Sequence, residues 1–150
     1  MDVQVDRNSD MLKQMIRKYK HPDFDITKPL NVQFVDEIGV DAGGVTREFF
    51  HLLMERVQGA CTGGISLFEG RTGHLLPIHD YDLLSGGLFL LVGKIIIHAV
   101  LNNCTGVSGL SPAVASYLIS GKRDAALEHI TTEDIPDPVL QEKLEEVGYS

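Results

Sequence analysis

The stretch Asp36–Phe50, DEIGVDAGGVTREFF, decides how this chain is read. Before it stands a short alternating run, Leu30-Asn31-Val32-Gln33-Phe34, the period-2 pattern of a strand with one buried face. After it, Val45, Phe49, Leu52, Leu53 and Val57 recur at helical spacing and predict an amphipathic helix. Between the two lie Gly39, Gly43 and Gly44, and three glycines in six residues predict a sharp turn or a close backbone approach. Asp41 is the expected N-cap, since its carboxylate can accept free N–H groups of the first turn and suits the positive end of the helix dipole.

Two uses of this unit compete. Gly39, four residues, Gly44, Val45 and Thr46 come within one residue of the phosphate-loop pattern, but Val45 replaces the lysine that meets the phosphates. Asp36, Glu37 and Asp41 would add a negative field around an incoming anion. A structural strand-turn-helix fits better, with Arg47 expected to reach back to Asp36 or Glu37 and pin the helix to the strand end.

The same residues resemble the signature near the start of the HECT domain of ubiquitin ligases, roughly GE-x-GVDAGG-[LV]-TREFF. Asp36 stands where that signature usually carries glycine, a departure that bears on the turn. The resemblance runs from about Leu30 to the end and takes in Gly87-Leu88-Phe89 to Asn102 and Leu110-Ser111-Pro112 to Leu118. It implies an α+β, mainly helical fold: the large subdomain of a HECT N-lobe, with a small β-hairpin and short strands packed beside a long central helix. The signature residues it marks are Glu37, Gly39, Asp41, Gly43, Gly44, Thr46, Arg47, Glu48 and Phe49. Family members pass ubiquitin through a thioester on a cysteine of a separate C-terminal lobe, in a Thr-x-Cys-Phe-like context. Cys61, between Ala60 and Thr62, and Cys104, between Asn103 and Thr105, do not match it. Neither has a base or positive charge beside it in sequence to favour thiolate. The resemblance therefore implies a scaffold portion of an E3 ligase, without catalytic residues of its own. Its partners through the full-length domain would be a ubiquitin-conjugating enzyme, ubiquitin and protein substrates. The expected chain is one domain over 1–150, lacking the C-lobe and a complete conjugating-enzyme-binding subdomain. A non-catalytic protein-binding module and a degenerate nucleotide-binding protein are the rival functions.

Composition sets the outer bounds. A chain of 150 residues with 43% hydrophobic content fits one globular domain, able to bury about two thirds of its unfolded surface. The net charge of −8 is uneven. From Asp124 onward, Asp124, Glu128, Glu133, Asp134, Asp137, Glu142, Glu145 and Glu146 face only Lys143. An acidic chain without a basic stripe argues against nucleic acid as a partner. The acidic end is read as a solvated helix face rather than a docking surface for a basic protein. Two cysteines make no disulfide framework. With no targeting segment legible at Met1, the expected location is cytoplasmic or nuclear.

The remaining segments follow from local signals. Ser9 or Asp10 is expected to cap a helix burying Met11, Leu12, Met15, Ile16 and Tyr19, and Pro22 to Pro29 keep the next stretch irregular. Residues 65–68 and 74–78 flank a glycine-containing loop and predict a hairpin, with Pro77 on an edge strand. His74 and His79 have no Cys or carboxylate at ligand spacing, so no metal site is expected, nor any cofactor. Asp80 or Asp82 is expected to open one long helix to Asn102, about 32 Å long. Lys94, His98 and the glycines inside it argue for a buried central helix rather than a membrane span. Lys94 and His98 should share a face that meets water or polar groups of a partner helix. Ser111-Pro112 should start a helix that Gly121 stops, a short helix should follow around 124–130, and Asp137-Pro138 should open the last. Val139, Leu140, Leu144 and Val147 form its apolar stripe.

Overall fold

A computed structural model describes residues 1–37, 43–59 and 66–148. The described residues form an α+β, mainly helical fold of two compact units, one made of Met1–Leu67 with His79–Val107, the other of Phe68–Ile78 with Ser108–Ser150.

The first unit begins with a strand the sequence reading missed. β1 (Asp2–Val5) pairs in parallel with β2 (Asn31–Phe34), in register Val3 to Val32 and Val5 to Phe34. Both strands alternate, and Val3, Val5, Val32 and Phe34 are the buried halves. Four residues of alternation make a weak signal, and only the partner 29 residues away makes Asp2–Val5 a strand. α1 (Met11–Tyr19) forms the crossover. Asp10 is its N-cap, accepting from the Lys13 N–H at 3.0 Å, and Met11, Leu12, Met15 and Tyr19 are buried.

α2 (Gly44–Gln58) buries Thr46, Phe49, Phe50, Leu53, Met54 and Val57. Gly43, at φ +90°, holds the N-cap position with no side-chain cap; Asp41, the expected cap, lies outside the described residues together with Gly39. The expected long helix is broken. α3 (Tyr81–Ser85), capped by Asp80, ends at Gly86, and α4 (Leu88–Leu101) starts after Gly87 at φ +71°. A helix cannot pass through a left-handed residue, and glycine takes that conformation without a Cβ penalty. The central helix is thus 14 residues, about 21 Å. Leu91, Val92, Ile95, His98 and Ala99 form its buried face, against α1 and α2.

In the second unit β3 (Phe68–Glu69) and β4 (Leu76–Pro77) make a minimal antiparallel hairpin, shorter than expected, with Ile65 outside the described residues. α5 (Pro112–Ser120) has Ser111 as cap, Pro112 in its first turn and Gly121 at φ +66° as its stop. α6 (Arg123–Leu127), a 3₁₀ turn (Thr132–Asp134) and α7 (Pro138–Gly148) follow. Asp137 accepts from the Val139 and Leu140 N–H groups and opens α7 as expected. The apolar stripe of α7, Val139, Leu140, Leu144 and Val147, is exposed. α7 meets the 3₁₀ turn through its polar side, where the Thr132 hydroxyl donates to Glu145.

Candidate functional site

The described part of the signature is a junction joining both strands, α2 and the end of α4. Each residue of Thr46-Arg47-Glu48-Phe49-Phe50 has a distinct environment. The Thr46 hydroxyl, buried, donates to the Leu30 carbonyl at 3.2 Å, on the residue that leads into β2. The Leu30 N–H donates to Asn102 Oδ1 at 3.0 Å, and Asn102 Nδ2 donates to the His98 carbonyl at 2.8 Å. Helix α4 is so tied by its C-cap to the strand that α2 grips from the other side. In the phosphate-loop pattern the Thr46 hydroxyl would face a metal ion; here it serves the backbone.

Glu37 and Glu48 converge on Arg7, in the turn between β1 and α1. Arg7 Nη1 donates to Glu48 Oε1 at 2.9 Å, Nη2 donates to Glu37 Oε2 at 2.9 Å, and Nε lies 2.6 Å from Glu37 Oε1. The guanidinium also sits 3.9 Å over the Phe34 ring, a cation–π contact. The expected pin from Arg47 is therefore corrected: Arg7 takes Glu37, while Arg47 is exposed beside a polar cleft of about 300 Å³ lined by Leu30, Thr46, Asn102 and Asn103. The hydrophobic pair completes the junction. Phe49 and Phe50 are fully buried with ring centroids 5.1 Å apart, and Phe50 meets the His98 ring at 5.6 Å.

Asp36 resolves the departure from the family pattern. Its φ is +64°, the left-handed region where glycine is at ease and aspartate is among the few tolerated side chains. Asp36 is a residue that can make this turn, and the Glu37 N–H donates back to the Phe34 carbonyl at 3.3 Å. Gly44 has no such need; a Cβ there would meet nothing within 4 Å.

His98 carries the chemistry that periodicity could not reveal. It is wholly buried between Tyr19, Phe24 and Phe50. Nε2 lies 3.2 Å from the Lys28 carbonyl, which can only accept, so Nε2 carries the proton. Nδ1 then accepts from the Tyr19 hydroxyl at 2.7 Å. Burial lowers the His98 pKa, partly opposed by the bond to Lys28, and burial raises that of the Tyr19 hydroxyl. Lys94 is half-buried and shares no bond with it.

Cys104 donates its thiol weakly to the Asn102 carbonyl at 3.4 Å. Burial pushes the thiol up, with Arg47 only partly offsetting it, so the thiol form is favoured and the nucleophilic thiolate is scarce. Cys61 lies outside the described residues. Among the described residues no group of three His, Cys, Asp or Glu could hold a metal ion, and no helix is long and apolar enough to cross a membrane.

Comparison with known proteins agrees with the signature. The chain is 37% identical over 124 residues to the probable E3 ubiquitin-protein ligase HERC4 of Homo sapiens, covering 83% of this chain and 11% of that protein. It is 33% identical over 98 residues to the human probable E3 ubiquitin-protein ligase HERC3, covering 65% and 9%. It is 32% identical over 112 residues to the probable E3 ubiquitin-protein ligase HECTD2 of Mus musculus, covering 75% and 14%. No family profile matches the chain. The chain is thus similar to proteins named as probable E3 ubiquitin-protein ligases, and it spans about a tenth of the length of the curated relatives it matches.

Proposed function

We propose that this chain is a scaffold portion of a HECT-type E3 ubiquitin ligase, the large subdomain of its N-lobe, and that it transfers no ubiquitin by itself. One observation carries this: every described residue of Thr46-Arg47-Glu48-Phe49-Phe50 except Arg47 is committed to packing or to joining elements. Cys104 is kept as a thiol, in keeping with chemistry performed elsewhere. In the full-length ligase the junction would give the conjugating-enzyme docking site and the catalytic lobe a rigid base, and ubiquitin, its conjugating enzyme and protein substrates would be partners of the whole. The wording of residues 79–94, HDYDLLSGGLFLLVGK, most resembles the G2/M-phase-specific E3 ligase, and we place the chain nearest that branch. Its work would be cytoplasmic or nuclear.

A second function, a HECT-like binding module without catalysis, is favoured by exposed apolar side chains on α5 and α7, among them Leu118, Ile119, Val139 and Val147. A ubiquitin-transfer assay separates the two. The chain, activating enzyme, charged conjugating enzymes and ubiquitin are run on non-reducing gels beside a longer polypeptide carrying a C-lobe. The scaffold assignment expects a reductant-sensitive adduct only with the longer polypeptide. An adduct on this chain that vanishes in Cys61→Ala or Cys104→Ala would overturn it. No adduct on either would leave the binding module.

A further inference from the structure

Thr46, Glu48, Phe49 and Phe50 each hold the junction together, which leaves Arg47 as the uncommitted side chain of that run. Arg47 is exposed and, among the described residues, its guanidinium makes no hydrogen bond or ion pair. It lines the polar cleft of about 300 Å³ that lies between the start of β2, the first turn of α2 and the end of α4. The other polar walls are mostly taken. The Thr46 hydroxyl donates to the Leu30 carbonyl, and Asn102 accepts from the Leu30 N–H while donating to the His98 carbonyl. Asn31 Nδ2 donates to Asp2 Oδ1 at 2.8 Å. Asn103 differs from these. It is exposed at φ +55°, just past the end of α4, and its side-chain amide makes no hydrogen bond among the described residues. The cleft thus offers an incoming group one guanidinium and one amide, and among the described residues no carboxylate lines it. We propose that this cleft captures an acidic side chain, Asp or Glu, presented by an extended segment of another polypeptide.

The charge of the walls selects the ligand. A guanidinium fork matches the two oxygens of a carboxylate and can hold them by two parallel N–H bonds, and an amide beside it supplies a further donor. One positive charge balances one carboxylate. A phosphate monoester brings about −1.5 to −2, and a chain of net charge −8 does not offset the excess. The size and exposure of the cleft select the carrier. Small-ligand clefts run from about 300 to 1,000 Å³ and enclose most of their ligand. Here the volume is at the lower end and both recognition groups are exposed, so a small molecule held by them would stay largely in water. A side chain standing on a polypeptide also brings its neighbours onto the surrounding surface. Such capture would serve a scaffold and a binding module alike.

Amide NMR titration of the whole chain tests this at fixed pH and matched ionic strength. The probes are three end-capped peptides, Gly-Ala-X-Ala-Gly, with glutamate, glutamine or phosphoserine as X. The glutamate peptide should shift the amides of Thr46, Arg47, Asn102 and Asn103 and saturate in the millimolar range, and the glutamine peptide should leave them in place. Arg47→Gln, a surface change that keeps the fold, should weaken binding about tenfold or more. Arg47→Lys should fall between, because an ammonium cannot make the two parallel bonds. Asn103→Gly keeps the left-handed backbone without the amide and should weaken binding about threefold. No response to the glutamate peptide, an equal response to the glutamine peptide, or unchanged binding in Arg47→Gln would overturn the site. Tighter binding of the phosphoserine peptide would overturn the choice of a carboxylate.

Discussion

Removing His98 should unfasten α1 from α4 by way of a single hydroxyl. In His98→Leu the Tyr19 O–H loses its acceptor in a pocket closed by Phe24 and Phe50, while the Lys28 carbonyl, on an exposed residue, can turn to water. One orphaned buried donor costs about 1–3 kcal/mol. Tyr19→Phe removes the same bond from the other side and leaves Nδ1 bare, at about 1–2 kcal/mol. The double variant has no orphan left at that bond. Its cost should fall short of the sum by roughly 1 kcal/mol or more, beyond the few tenths within which independent sites add. Urea unfolding followed by circular dichroism measures the cycle, with amide exchange in α1 and α4 reporting on this unit alone. The pH dependence has a definite sign. The folded His98 pKa is depressed, so its contribution is present above the unfolded value of about 6.5 and is lost as pH falls through the folded value. The wild-type chain should lose stability below that pH relative to His98→Leu. Additive costs, or the same acid dependence in both proteins, would refute the account of a neutral, Tyr19-bonded histidine.

Three further outcomes are expected. Arg7→Ala should cost about 1–2 kcal/mol, because it removes a cation–π contact and two ion pairs whose carboxylate partners are each 48% exposed, whereas Arg47→Ala should stay within about 0.5 kcal/mol; chemical denaturation ranks them. Thr46→Val, which keeps the shape and deletes the donor to Leu30, should destabilise by about 1–3 kcal/mol, and Thr46→Ser by less, in the same measurement. Asp36→Gly should be tolerated within about 1 kcal/mol, while Asp36→Val, a β-branched residue at φ +64°, should cost about 1–2 kcal/mol in thermal melts.

Much of the fold was legible because its signals are local. Caps at Asp10, Asp80, Ser111 and Asp137 act within one helical turn, and the apolar spacing of α1 and α2 follows from a period of 3.6. Local signals also misled. The apolar run through Gly86 and Gly87 has the composition of one helix, and only the left-handed backbone at Gly87 divides it. The stripe of α7 has the period of a packed face, yet the helix leans on its polar side.

The amino-acid sequence by itself determined the strand before the signature, the helix that follows it, its likeness to ubiquitin ligases and most helix boundaries. Each depends on residues a few positions apart, whose geometry the backbone period dictates. The tertiary structure alone decided which cation meets Glu37, since Arg7 lies 30 residues away and Arg47 only ten. It also decided that Asp2–Val5 is a strand, and that His98 is a buried, neutral acceptor for a hydroxyl 79 residues distant. Such pairings depend on distance through space, and chain order does not contain that distance until the core has closed.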